Sequence, residues 1–405
     1  MTPTCRHCQT PLTLDFLDLG HAPPSNAYLS PDDLMRPEVS YPLRLKVCSN
    51  CRLVQTEDFA AADALFSPDY AYFSSTSRSW LEHAASYVEM ITDRLNLTSN
   101  SHVIEVASND GYLLKNFVSA GISCLGVEPT QSTAQAARAI GVPVKQEFFG
   151  AEMANDIAKA DLILGNNVYA HVPDINDFTV GLKNALKPQG VITLEFPHLM
   201  RLVEFNQFDT VYHEHFSYLS LLSVEAIMQA AGLRVFDVEE LPTHGGSLRI
   251  YACHRAADHA EQPSVANLRS TEAERGMGND AYYIAFQAQA EVVKNDFLQF
   301  LLQVRSEGKS VAAYGAAAKG NTLLNFAGVK PDLLPFVCDA APSKIDKLLP
   351  GSHIPIREPG ALEQNRPDYL VIFPWNIGTE IRAQNAGLAA QGTKFVTAVP
   401  SLKIN

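Results

Sequence analysis

Seven consecutive residues, Tyr212-His213-Glu214-His215-Phe216-Ser217-Tyr218, carry two imidazoles, one carboxylate and two phenols. Burying so many polar groups is costly unless they are used. Histidine titrates near neutrality, where a general acid or base works best. The order H-E-H lacks the i,i+4 histidines of a helical H-E-x-x-H zinc site, so the chemistry indicated is proton transfer. In an extended segment Tyr212 and Glu214 face one way and His213 and His215 the other; a turn lets all four converge. A second polar stretch, Asn166-Asn167-Val168-Tyr169-Ala170-His171, follows a strand expected at Asp161–Gly165. Ligands of open α/β sheets sit beyond the carboxyl ends of strands, which sends Asn166, Asn167 and His171 toward a common cleft.

Val103–Gly111, VIEVASNDG, points to a nucleoside cofactor. A short apolar run enters a small-residue turn and leaves into a helix-like segment at Tyr112–Phe117. The next strand, Ile122–Val127, is closed by Glu128. Strand, tight turn and helix start gather backbone N–H groups above a sheet edge. An acid 17 residues past Gly111 is placed to accept the two hydroxyls of a ribose. A dinucleotide fingerprint requires G-x-G-x-x-G for close approach to a pyrophosphate, whereas this turn starts from Glu105 and runs through Ala107, Ser108 and Asn109. An acid there repels a pyrophosphate and attracts the ammonium of a methionyl tail. S-adenosylmethionine (AdoMet) fits better than NAD, with Glu105, Ser108, Asn109, Gly111, Glu128 and Asn166 as candidate contacts.

Cys5, Cys8, Cys48 and Cys51 form two C-x-x-C pairs, while Cys124, Cys253 and Cys338 stand alone in apolar runs. The i,i+3 spacing suits two thiolates on one metal, and four thiolates close a tetrahedral Zn2+ site with no open position. The zinc is therefore structural. The 39 residues between the pairs exceed the usual finger and require a folded, β-rich excursion.

Two further stretches suit a substrate. Ser310–Tyr314 runs into Gly315-Ala316-Ala317-Ala318-Lys319-Gly320-Asn321, again strand, small-residue loop and helix, now with a lysine. Backbone N–H groups plus Lys319 suit a diphosphate. In His244-Gly245-Gly246-Ser247-Leu248-Arg249 the paired glycines permit close backbone approach. Ser247 and Arg249 can hold a phosphate or a sugar hydroxyl there; a plain hairpin turn fits equally well.

The elements that must position these groups follow from patterning. At 405 residues several cores are possible. The fold class expected is α/β: a small N-terminal zinc-binding β-rich module (1–76), a central class I methyltransferase Rossmann-like domain (77–255), a helical connector (256–308) and a smaller C-terminal Rossmann-like domain (309–405). In the connector, Tyr283, Ile284, Phe286, Val292, Val293, Phe297 and Leu301 read as one apolar stripe. The tyrosine-rich Asp69–Phe73 stretch enters the central domain where it can lie over the cleft. A formal charge of −13 opposes a general nucleic-acid or anionic-membrane partner. No apolar run reaches the roughly 18–20 residues of a membrane span, and the N-terminus has no signal pattern, so a cytoplasmic location is expected. The self-contained three-module layout favours a monomer.

In this order, the C-x-x-C pairs, Y-x-Y-F-S-S, S-N-D-G, N-x-x-A-H-V, Y-H-E-H-F-S-Y, H-G-G-S-L-R and G-A-x-A-K-G-N make the sequence similar to the zinc-containing, AdoMet-dependent sugar C-methyltransferases. The resemblance covers essentially the whole chain and departs at Ala107, where the family usually has glycine. It implies methylation of a ring carbon of a nucleotide-linked 4-keto-deoxysugar, C-3 ahead of C-5, through an enolate. It places Tyr72, His171, Tyr212, Glu214 and His215 in the active site, Glu105, Gly111, Glu128 and Asn166 around AdoMet, and Lys319 and Asn321 on the diphosphate. On this reading His215 is the base, made more basic by Glu214, with Tyr72, His171 and Tyr212 holding the enolate oxygen; Tyr212 is the rival base. An NAD-dependent nucleotide-sugar epimerase would want a Y-x-x-x-K pair, which is not found near the first Rossmann unit. A non-catalytic zinc-ribbon adaptor would tolerate loss of Tyr212 and His215.

Overall fold

The computed structural model describes residues 3–57, 73–76 and 78–405; Tyr72 lies outside them. In the N-terminal region, apolar residues alternate with polar ones and give strands buried on one face. They are β1 (Leu14–Ala22), β2 (Tyr41–Val47), with Leu43, Leu45 and Val47 inward, and β3 (Val54–Thr56). These three pair antiparallel in sequence order.

Near-continuous apolar runs, as expected of strands covered on both faces, build the central sheet. Its strands are β4 (His102–Val106), β5 (Ser123–Val127), β6 (Val144–Lys145), β7 (Ala160–Asn166) and β8 (Leu186–Pro197). A short strand, β9 (Ser217–Tyr218), follows, and then β10 (Leu233–Leu241) and β11 (Ser247–His254). The order is β10-β11-β8-β7-β4-β5-β6; β4 to β8 run parallel and β11 is antiparallel to both neighbours. The strand order reverses at β4, which has β5 on one side and β7 on the other, so the cleft opens above their carboxyl ends. The Arg78–Leu95 helix covers one face with Ala84, Tyr87, Val88 and Ile91.

β9 does not join this sheet. It pairs with β3, extending the N-terminal sheet to β1-β2-β3-β9.

The C-terminal sheet contains β12 (Val311–Tyr314), β13 (Val337–Cys338), β14 (Ile356–Arg357), β15 (Tyr369–Ile372), β16 (Lys394–Thr397) and β17 (Lys403–Ile404). The order is β14-β13-β12-β15-β16-β17, parallel except for β17. Between the two large sheets run helices Pro263–Glu274, Asp280–Ile284 and Phe286–Ser306. Tyr283, Phe286, Val293, Phe297 and Leu301 are buried, whereas Ile284 and Val292 are 55% and 58% exposed. The expected stripe was too wide: adjacent residues on a helix do not share a face, so one of each pair turns outward. Phe16 of β1 stacks on Phe286 at 4.9 Å and ties the first sheet to these helices. Among the described residues no helix is long and apolar enough to cross a membrane.

Candidate active site

The turn after β4 is strongly bent. Ala107, Asn109 and Gly111 have φ of 56°, 48° and 78°. The left-handed region costs a non-glycine residue roughly 1–2 kcal/mol, a cost Ala107 and Asn109 both carry here. Gly111 turns its missing Cβ toward Ala137 and Val142 of the next helix–strand unit; its role is close packing and the left-handed φ. Glu128 sits at the end of β5 and holds the turn: the Asn109 N–H donates to Oε2 at 3.0 Å and the Thr130 N–H to Oε1 at 2.9 Å. Glu105, Asp110 and Glu128 are all buried. Burial pushes the Glu105 carboxyl well above the usual range, and the charges of Glu128 and Asp110 push it further.

Glu105 Oε2, Ser108 Oγ, Asp110 Oδ1 and Asn166 Nδ2 are buried without a hydrogen-bond partner among the described residues. Orphaned buried groups of this kind call for a ligand. Carboxylate oxygens suit an ammonium and ribose hydroxyls, and the serine hydroxyl and asparagine N–H can meet a ligand's acceptors, so these residues fit that cofactor. The Ser74 and Ser75 N–H groups donate to Asn109 Oδ1 and Asp110 Oδ2 at 3.0 and 3.1 Å, laying residues 73–76 over the turn. Glu128→Ala should weaken AdoMet binding about tenfold or more, the loss of charge-assisted hydrogen bonds, with the fold retained. Calorimetric titration checks this; unchanged affinity would remove Glu128 from the site.

The polar heptad folds as a turn, the His215 N–H donating to the Tyr212 carbonyl at 3.0 Å. Two of its side chains, Tyr212 and His215, come together with His171. His215 lies with its ring 4.0 Å from Tyr212 and 4.5 Å from His171. His213 leaves in the opposite direction, to the Pro42 carbonyl at 3.2 Å and the Tyr41 ring. His215 Nδ1 contacts the Thr210 carbonyl at 3.1 Å; only a donor suits that oxygen, so Nδ1 carries the proton and Nε2 the lone pair. Burial, then His171, His244 and Lys319, hold His215 well below the usual imidazole range. Burial lowers His171 to about 4. Glu214 Oε1 accepts from Asn26 Nδ2 at 2.8 Å, which sets this carboxylate oxygen on the Pro23–Leu29 loop. The Thr210 carbonyl sets the tautomer.

The groups assigned to substrate divide. Lys319 lies 4.2 Å above the Trp375 ring and 2.9 Å from Asn376 Oδ1. Trp375 Nε1 donates to buried Asp209 at 2.7 Å, and its ring lies against Gly245, where a Cβ would collide with it. The lysine end of the C-terminal unit thus meets the histidine loop. Burial lowers Lys319 to about 8, partly offset by Asp209, which burial raises to about 6. Asn321 is buried and spends its amide on the Ser25 carbonyl at 2.6 Å, a loop anchor in place of the expected diphosphate contact. Ser247 donates to the Thr243 carbonyl at 3.0 Å. Arg249 stands in register with Glu195 of β8 and Glu239 of β10 and pairs with each at 2.8 Å; cross-strand ion pairs of this sort brace a sheet.

Glu195 also receives His83 at 2.9 Å and Thr243 Oγ1 at 3.0 Å. Trp80 stacks on His83 and stands edge-on to His244, with centroids 5.0 and 5.1 Å apart. Sequence reasoning assigned Trp80 only to an apolar helix face and passed over His83 and Glu195; Trp80 and His83 at i,i+3 on one helix were the available signal.

The four cysteines converge, all Sγ atoms lying within 4.8 Å of one another. Cys5–Cys51, Cys8–Cys48 and Cys8–Cys51 are 3.6, 3.4 and 3.6 Å apart, close to the about 3.8 Å edge of a tetrahedron with 2.3 Å Zn–S bonds. The two knuckles repeat one another. The Gln9 N–H donates to the Cys5 carbonyl and the Arg52 N–H to that of Cys48, with φ of 62° and 60° at Gln9 and Arg52. The donor set fits Zn2+.

Strand order, the acid-lined turn and the thiolate cluster together define a zinc-containing methyltransferase of the AdoMet-dependent kind. The methyltransferase domain family matches residues 80–238, a zinc binding domain family residues 5–66 and the C-methyltransferase C-terminal domain family residues 242–400. C-methyltransferase NovU of Streptomyces niveus is 34% identical over 404 residues, 99% of this chain and 96% of that protein. Among solved structures, magnesium protoporphyrin IX methyltransferase from Synechocystis PCC 6803 with bound SAM aligns at 13% identity and a TM-score of 0.34, over 43% of this chain and 79% of its own. The YcgJ protein of Bacillus subtilis aligns at 12% and 0.35, over 44% and 100%. The chain belongs to the C-methyltransferase family.

Proposed function

We propose that the enzyme methylates a ring carbon, C-3 ahead of C-5, of a nucleotide-linked 4-keto-deoxysugar. The observation that carries this reading is the His215 imidazole, neutral and held by Thr210, against His171 just past the carboxyl end of β7 and within the field of Lys319 from the C-terminal unit. A ketone acidifies the neighbouring C–H. The proton passes to His215 Nε2 and the C–H electrons move into an enolate, whose oxygen is held by Tyr212 and His171, with Tyr72 a further candidate outside the described residues. AdoMet, when bound, supplies the electrophilic methyl group to the enolate carbon. Glu214, one oxygen of which accepts from Asn26, is assigned to a hydroxyl of the sugar.

The proposal divides the chain as zinc module (1–76), AdoMet domain (77–255), connector (256–308) and nucleotide-sugar domain (309–405), with Lys319 rather than Asn321, Ser247 or Arg249 nearest the substrate. It takes the protein as a cytoplasmic monomer. Incubation with AdoMet and a panel of nucleotide-linked 4-ketosugars should give one product heavier by one CH2. NMR of that product would locate the new methyl, and a panel with no methylated member would overturn the substrate class.

A further inference from the structure

We propose that Asn26 is a positioning residue that aims the Glu214 carboxylate at the substrate; the inference rests on the role just given to Glu214. Asn26 is exposed while Glu214 is buried, and yet the Asn26 amide reaches Glu214 Oε1 at 2.8 Å. An exposed side chain that hydrogen-bonds a buried carboxylate contributes little to the core. Its loop is fastened on both sides. Asn321 Nδ2 holds the Ser25 carbonyl at 2.6 Å, the Tyr28 hydroxyl donates to the Ala316 carbonyl at 2.6 Å, and Leu29 forms a β-bridge with Leu348.

The loop therefore carries the position of the C-terminal domain to the histidine turn through one amide. This gives Asn321 a purpose in the site without any contact to a diphosphate: it sets Ser25, and through it Asn26. An amide is also suited to the task. It donates to a carboxylate at every pH and adds no charge, whereas a lysine would neutralise Glu214 and a carboxylate would repel it.

Among the described residues, the titratable groups around Glu214 include Tyr28 on the loop, with Asp339 and Lys344 behind it, His171 at the Glu214 backbone, and Tyr212 and His215 of the same turn. The test uses the full-length zinc-loaded enzyme and the sugar substrate found by the panel. Asn26→Ala should lower kcat/KM about tenfold or more with AdoMet affinity unchanged. The same change in a Glu214→Gln background should add little further loss. Asn26→Asp should be worse at neutral pH and recover in acid, as one of the two facing carboxyls protonates, a response that mere loosening of a loop does not give. Equal, pH-independent losses in Asn26→Ala and Asn26→Asp, additive with Glu214→Gln, would overturn the proposal. Wild-type turnover of Glu214→Gln alone would overturn the reading of Glu214 on which it rests.

Discussion

His215→Asn should lower kcat by about 10²-fold or more, the usual worth of a positioned base, with AdoMet affinity unchanged. Asparagine keeps a polar group of similar size but cannot take a proton at its side chain. In the wild type the ring is poised by two features. The Thr210 carbonyl fixes Nδ1–H and leaves Nε2 as base, and burial keeps the imidazole unprotonated. The pH dependence follows with a definite sign. His171 and His244 are each lowered to about 4 and His215 is lowered as well, whereas the unfolded chain takes up protons near 6.5. Below that pH the unfolded state binds more protons, so stability is full above 6.5 and falls as pH drops toward 4. The base itself stays neutral through this window, so kcat should show no acid limb near 6.5 while Tm declines. Solvent deuterium exchange at the ring carbon, with and without the substitution, separates proton removal from methyl transfer. Near wild-type exchange in His215→Asn would transfer the role of base to Tyr212, and an acid limb at 6.5 would contradict the neutral, buried imidazole.

Removal of zinc should cost almost as much, although the metal touches no reacting atom. For a module of this kind the free energy of metal binding is largely folding free energy. β3 begins three residues after Cys51, and β9 follows His215 by one residue; the two strands pair, Val54 with Tyr218 and Gln55 with Ser217. Loss of the thiolate cluster therefore frees the strand on which the histidine turn is pinned. A displacement of about 1 Å there is worth about 10²-fold in rate. Chelation, or Cys51→Ser, should lower kcat by that order, and hydrogen exchange of 216–218 should rise. AdoMet affinity, which rests on β4 and β5, should persist. Full turnover by the metal-free enzyme, or unchanged exchange at 216–218, would make the zinc module an appendage.

The parallel strands were legible because strands covered on both faces read as unbroken apolar runs: β7 and β12 fall where Asp161–Gly165 and Ser310–Tyr314 were expected. The cysteine cluster was legible from residue type and spacing; the grouping of His171, Tyr212 and His215 was what the family resemblance implied, since the residues alone left open whether the heptad is extended or turned. Whatever depended on register or on distant partners was hidden. Arg249 reads as a loose cation in H-G-G-S-L-R, and only the cross-strand register puts Glu195 and Glu239 beside it. A two-residue strand such as β9 gives no periodic signal, and nothing near Glu214 in sequence points to Asn26. Asn321 sits in a loop–helix start that suits phosphate binding, yet tertiary packing gives its amide to Ser25.

The pairing of β3 with β9 also bears on how the chain reaches its native state. Translation delivers Cys5 to Cys51 ahead of the central domain, and zinc can close the knuckles before that domain exists. The open side of Val54–Thr56 then waits for Ser217 and Tyr218, more than a hundred and fifty residues later. An edge left bare for so long is a template for wrong partners, and pairing across such a separation is slow to nucleate. On the ribosome, then, the last of the described strands to dock on this sheet is the one that brings the histidine turn, so that completion of the sheet and arrival of that turn are a single event.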